Sequence, residues 1–170
     1  MWTSHDMSEK RMRDPTSQLE ALIEGFLSSG QLEVYENVMW RLRDGYLVAT
    51  LKVEEPDRQL DVRLELRRNP RISKFSFQFL INSKPAWRYC SDHPHTNPPD
   101  CADSPNGHFP SQHKHRWSDL TGDECVYVPE DFTTNPIEDA FYSFCEECGI
   151  SFHGIWNDPP QVQLGFETVA

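Results

Sequence analysis

Cys90, His93, His95, Cys101, His108, His113 and His115 fall within 26 consecutive positions, together with Asp92, Asp100 and Asp103. Imidazole nitrogen and thiolate sulfur are the usual ligands of zinc. His93, His95, Cys101, His113 and His115 are therefore the candidate metal ligands and zinc the cofactor they would hold, although nothing in the sequence demands one. The pair of Cys-x-x-Cys knuckles that would mark a structural zinc site is missing. The single such motif, Cys145-Glu146-Glu147-Cys148, extends the apolar stripe of a predicted helix, which favours a core role over ligation or redox chemistry. His113 and His115 lie two apart in an alternating run, and on a strand such residues project to the same face. That spacing suits two ligands of one metal. It equally suits a general base and a general acid, because an imidazole pKa near 6.5 lets both forms exist at neutral pH. It also suits two histidines that pack with Trp117 and hydrogen-bond locally. Lys114 and Arg116 are expected on the opposite face.

The elements that must position these residues read as an α+β domain over 14–156. Polar tails are expected at 1–13 and 157–170. Asp14-Pro15 has the form of a helix N-cap with proline at the first helical position. Leu19, Leu22, Ile23, Phe26 and Leu27 follow one helical stripe up to Gly30. The period then changes to two. Val38, Trp40 and Leu42 alternate up to Asp44-Gly45, the dipeptide of a two-residue type I′ turn, and Leu47, Ala49, Leu51 and Val53 alternate after it. Such a turn pairs Leu42 with Leu47, so both apolar sets share a face. Leu60 to Leu66 and Phe75 to Ile81 continue the pattern, and Ala86 to Cys90 adds a fifth strand. Residues 91–112 hold five prolines and an Asn-Gly pair and are expected to be a long irregular loop. His113 to Trp117 reads as a further strand, with Cys125 to Val128 returning beside it. Asn135-Pro136 with Glu138 opens a second helix in the manner of a capping box, with Ile137, Ala140, Phe141, Phe144, Cys145 and Cys148 as its apolar stripe. The predicted architecture is an antiparallel meander of about five to seven strands with an N-terminal and a C-terminal helix packed on one face.

Composition narrows the function classes. The 170 residues carry a net charge of -11, with 37% hydrophobic and 12% aromatic residues. No run approaches the roughly 18 apolar residues that span a bilayer, so no membrane partner is expected. The first ten residues lack an apolar h-region. Five cysteines without such a region read as reduced thiols in a cytoplasmic protein rather than as a disulfide framework. The charge is unevenly placed. Residues 58–88 carry a local charge of +6, whereas eleven acids and no Lys or Arg follow Arg116. Arg41, Arg43, Lys52, Arg63, Arg67 and Lys74 are expected together on the sheet face opposite the core, a surface that can follow a phosphate backbone.

The run His95-Thr96-Asn97-Pro98, then His113-Lys114-His115-Arg116, Gly122-Asp123 and Phe132 resembles an uncharacterised prokaryotic family with His-x-Asn-Pro followed by Pro-His-x-His. That family continues into a helix with a Phe-x-x-Phe-Cys-like end, which here is Phe141-Tyr142-Ser143-Phe144-Cys145. The resemblance covers about residues 80–150, and Ser111-Gln112 stands where a proline belongs in that pattern. More distantly, strands followed by a His-x-His segment and a final helix resemble the TumE-type toxins of toxin–antitoxin modules, a family suspected of acting on RNA. The resemblance implies a functional role for His113 and His115. One expectation is thus a toxin-like ribonuclease. His113 and His115 would act as base and acid, Arg67 or Arg88 would stabilise the phosphorane charge, and Arg41, Arg43, Lys52, Arg63 and Lys74 would hold the RNA. The other is a non-enzymatic adaptor or antitoxin-like module whose acidic C-terminal third binds a protein partner, stiffened by a structural zinc.

Overall fold

The computed structural model describes residues 19–128 and 136–162. The expected tail at 1–13, the Asp14-Pro15 helix start, Phe132, Asn135 and the last eight positions of the C-terminal tail lie outside the described residues.

The chain runs α1 (Leu19–Ser29), β1 (Leu32–Val34), β2 (Arg41–Arg43), β3 (Tyr46–Lys52), β4 (Val62–Arg68), β5 (Phe75–Ile81), β6 (Lys84–Cys90), β7 (His95–Thr96), β8 (His108–Phe109), β9 (His113–Arg116), β10 (Val126–Tyr127), α2 (Ile137–Glu147) and β11 (Ile150–Phe152). Seven strands form one antiparallel sheet in the order β10-β9-β6-β5-β4-β3-β2. This is the expected α+β meander with two helices.

The register follows from residue chemistry. At the β2–β3 turn Asp44 and Gly45 both have positive φ, 51° and 79°, as a type I′ turn requires. Leu42 accordingly sits opposite Leu47. Across the next ladders Ala49 faces Leu66, Leu66 faces Phe77, Phe77 faces Tyr89 and Tyr89 faces Lys114. Residues opposite one another share a face, so this row is the apolar side of the sheet. Onto it pack Leu19 and Ile23 of α1 and Ala140, Phe141, Phe144 and Cys145 of α2. Cys145 and Cys148 are free, buried thiols. Burial holds the Cys145 thiol up at about 12, which keeps it protonated and poorly nucleophilic. The Cys-x-x-Cys of α2 is therefore core.

Lys114 also faces this side. At the rim of the core its ammonium meets the carboxylate of Glu147, which also accepts hydrogen bonds from the Trp87 indole and the Tyr127 hydroxyl, both at 2.9 Å. A partly buried carboxylate satisfied from several donors can hold an ion pair that desolvation would otherwise disfavour. It also ties α2 to β6, β9 and β10.

Three local expectations are corrected. The apolar alternation of Val38, Trp40 and Leu42 does not make one long strand, because only Arg41–Arg43 pair with β3 and Leu42 is 60% exposed at the sheet edge. Val38 is taken instead by the C-terminal segment, donating its N–H to the Ile155 carbonyl at 2.9 Å. That segment is not a free tail at its start. The Trp40 indole donates to the Asn157 carbonyl at 2.8 Å, and the Asn157 amide to the Val38 carbonyl at 2.9 Å. Not anticipated at all were β1 and β11, which form a separate parallel pair, Leu32 to Val34 beside Ile150 to Phe152; each is too short to display a period. The third correction concerns residues 91–112, which are not wholly irregular. His95 and Thr96 pair with Phe109 and His108, because Pro94, Pro98 and Pro110 flank the paired positions rather than occupy them. Among the described residues no helix is long and apolar enough to cross a membrane.

Candidate metal centre

The sheet face opposite the core carries a second set of rows. His115 lies opposite Arg88, Arg88 opposite Gln78 and Gln78 opposite Glu65; in the next row His113 lies opposite Cys90, Cys90 opposite Ser76 and Ser76 opposite Arg67. Alternation thus puts the histidine pair on the polar side, as its spacing predicts. This end of the face is not open. The 91–112 segment and the turn after β9 lie over it, leaving His113 0% and His115 2% exposed.

Buried imidazoles must satisfy both ring nitrogens, and their partners here fix the tautomers. His113 Nδ1 lies 2.8 Å from the Pro110 carbonyl, and His115 Nδ1 lies 2.7 Å from the Asp123 carbonyl. A carbonyl accepts and cannot donate, so each Nδ1 carries the proton and each Nε2 carries a bare lone pair. Those two Nε2 atoms are 3.0 Å apart. His95 Nε2 lies 2.8 Å from the Glu124 carbonyl. By the same reasoning it donates there and leaves Nδ1 as the coordinating atom. One ring nitrogen from each of His95, His113 and His115 lies within 4.8 Å of the other two. The His95 ring centroid stands 5.7 Å from that of His113 and 5.2 Å from that of His115.

Lone pairs facing one another at 3.0 Å repel unless a cation lies between them. A proton is a poor candidate. Burial lowers the pKa of both rings, and with the Arg88 guanidinium alongside it holds His115 at about 3. A divalent metal is the better one. Tetrahedral zinc with bonds of 2.0–2.1 Å separates its ligand nitrogens by about 3.3 Å, close to the distance observed. Histidine ligands that hand their remaining N–H to a backbone carbonyl are the usual supporting arrangement of a metal centre.

The loops are pinned so that those carbonyls stay in place. The Asn97 side chain, 2% exposed, accepts from the Val126 N–H at 2.8 Å and donates to the Val126 carbonyl at 3.1 Å, acting as a short strand partner at the end of β10. Cys101 and Cys125 form a disulfide. This overturns two expectations: Cys101 offers no thiolate to a metal, and the cysteines are not all reduced thiols. Cys125 directly follows Asp123 and Glu124, so the bridge anchors the turn whose carbonyls orient His115 and His95. Closing a loop of this length constrains the unfolded chain by about 3 kcal/mol. Reduction, or the pair Cys101→Ser and Cys125→Ser, is expected to lower the unfolding free energy by about that amount, read as a lower urea midpoint. A midpoint unchanged by reductant would show that the bridge has no such role.

Of the other predicted site residues, Arg88 reaches the histidines. One Nη is 3.1 Å from His115 Nε2 and 3.3 Å from Asp123 Oδ2. The same nitrogen is 3.0 Å from His115 Nδ1, so it stands over the imidazole ring, close to both of its nitrogens. Arg67 does not reach them. It is three strands away from His113, about 14 Å at the usual strand spacing, and its guanidinium lies 3.8 Å over the Tyr46 ring. His93 flanks His113 with ring centroids 6.3 Å apart and stands outside the group of three. Arg41, Arg43, Lys52 and Arg63 share the polar face on β2, β3 and β4, with Arg63 paired to Asp61 at 3.2 Å. They sit toward the far edge from the histidines. The Lys74 ammonium donates to the Asp92 carbonyl, tying down the start of the long segment rather than facing an open surface. Sequence reasoning missed Asn97, Pro110, Asp123 and Glu124. Three of them act through main-chain carbonyls, for which side-chain identity gives no signal. Asn97 was visible inside His-x-Asn-Pro, but its partner at Val126 was not.

A hollow of about 360 Å³ beside the cluster is lined by Pro94, His95, Thr96, His108, Phe109 and Pro110. His95 belongs to both the hollow and the cluster. No protein-family model, curated protein or solved structure matches the chain.

The histidine environment has a consequence for acid stability of the metal-free protein. Unfolded, these imidazoles take up protons near pH 6.5; folded, burial delays this, for His115 to about 3. The unfolded state therefore binds more protons throughout that window, and stability falls as pH drops through it. Above about pH 7 these two groups add no pH dependence. Urea midpoints at pH 7.5 and 4.5 are expected to differ in that direction by more in the native sequence than in a His115→Gln variant.

Proposed function

We propose that this protein is a zinc protein built on a three-histidine centre of His95, His113 and His115, with the fourth coordination position left to water or a substrate. The observation that carries this reading is the pair of bare Nε2 lone pairs at 3.0 Å, each fixed by a carbonyl on the other side of its ring. Structural zinc sites are usually closed by four protein ligands, whereas three with an open position is the arrangement that activates water or polarises a bound oxygen. The hollow beside His95 adjoins the centre through that residue. Elemental analysis of protein purified without added chelator tests it. One equivalent of zinc is expected, and occupancy well below stoichiometric that added zinc does not restore would refute it.

A second reading, metal-free cleavage of RNA by His113 and His115 after the manner of the TumE-type resemblance, is supported by the shared face of these residues with Arg41, Arg63, Arg67 and Lys52. It requires a polymer to reach two imidazoles that are buried, and one of them to be protonated in a setting that lowers its affinity for protons. RNA cleavage that persists in chelator and disappears with His113→Ala would favour it over the zinc centre. A protein partner for the acidic C-terminal third remains the non-enzymatic alternative, and it also can coexist with a bound zinc.

A further inference from the structure

Arg88 is not explained by the three-histidine centre. Three neutral imidazoles bring no charge to a divalent ion, and a guanidinium placed beside it adds to the positive charge. Asp123, at 3.3 Å from the Arg88 Nη, cancels one charge and leaves an excess near +2. The neighbours on the same face do little to reduce it: Gln78 and Cys90 lie beside Arg88 and His113 in the ladder, and Glu65 comes one strand later. Arg88 also has donors to spare. Its Nε is buried without a hydrogen-bond partner. Its Nη stands 3.0 and 3.1 Å from the two ring nitrogens of His115. An Arg88 N–H therefore stands immediately beside the position the ion would take.

Resting on the zinc reading above, we infer that the centre binds a small oxyanion of the phosphate class. One of its oxygens lies on the metal and another accepts from Arg88. A phosphate dianion matches the residual charge, and a guanidinium fork matches two of its oxygens. The hollow of about 360 Å³ that adjoins the centre through His95 has room for a group of that size. Asp123 positions Arg88 and is not itself a ligand of the anion.

Cobalt(II) in place of zinc makes the open position visible, since its d–d bands report coordination. The cobalt-loaded protein is titrated with inorganic phosphate, with acetate and chloride as comparators, and the metal-free protein is titrated in parallel by calorimetry. Saturable change of the d–d bands with phosphate, weaker change with acetate, and no phosphate binding without metal are expected. Arg88→Gln should still bind one equivalent of cobalt but take up phosphate about 10- to 100-fold more weakly, the range for a lost charge-assisted pair; Arg88→Lys should recover part of that. Bands indifferent to phosphate in the native sequence overturn the inference whatever the variants do. An Arg88→Gln affinity within twofold of native overturns the role of Arg88. Failure of the native protein to bind cobalt or zinc at all removes the centre itself, and this inference with it.

Discussion

Replacing His113 by alanine is expected to abolish stoichiometric zinc binding, with affinity falling by at least 100-fold. His113 is the most enclosed member of the group, and its Nε2 lies 3.0 Å from that of His115, so no neighbouring donor can move in to replace it. His93 is a further imidazole whose ring approaches the group, but its centroid is 6.3 Å from that of His113. Losing one of three ligands removes a metal–nitrogen bond outright. Losing one of the carbonyls that orient the ligands is expected to cost only the 10- to 100-fold typical of supporting groups. The variant should still fold, because a buried lone-pair repulsion is removed along with the ring. Competition with a chromophoric chelator measures the affinity, and the far-ultraviolet circular dichroism of the same samples checks the fold. Native-like zinc affinity in His113→Ala would eliminate the centre.

The largest effect on stability is expected from Phe77→Ala, at about 3–5 kcal/mol. Phe77 is 0% exposed in the middle of β5, the central strand of seven. Its ring lies 5.0 Å from Phe75, 5.8 Å from Tyr89, 6.0 Å from Phe141 and 5.8 Å from Phe144, centroid to centroid. It therefore links β5 and β6 to both aromatic anchors of α2. Truncation loses the transfer free energy of the ring and leaves a cavity that neither a hydrogen-bonded strand nor a helix held at Glu147 can collapse to fill. The site should suffer in consequence, because β6 and β9 hold Arg88, His113 and His115. Urea denaturation followed by fluorescence measures the change, and a loss below about 1 kcal/mol would mean that α2 is not seated on the sheet as described.

The sheet was legible from the residues because period-two alternation and turn chemistry are local. Asp44-Gly45 dictates a two-residue turn, that turn dictates Leu42 opposite Leu47, and each following strand inherits its face from the last. Lys114 and His113 point to opposite sides for the same reason. Where the local pattern was weak, tertiary partners decided: Leu32 to Val34 found Ile150 to Phe152, and Val38 left its own alternation for Ile155. A hydrogen bond across more than a hundred residues has no signature in a window of ten.

The same division holds at the histidines. Residue type and spacing determined that His113 and His115 share a face and that His95 and His93 are near in the chain. Which of the latter joins them depended on how a proline-bounded segment folds back. The fate of Cys101 depended on Cys125 arriving beside it. Which ring nitrogen carries the proton is settled by the carbonyls of Pro110, Asp123 and Glu124. Every residue has such a carbonyl, so composition cannot reveal it; position in three dimensions can. The sequence by itself determined a sheet with one apolar and one polar face, and a histidine-rich segment at one end. Only the tertiary structure decided that three lone pairs converge there beside Arg88, because convergence is a property of distance rather than of order along the chain.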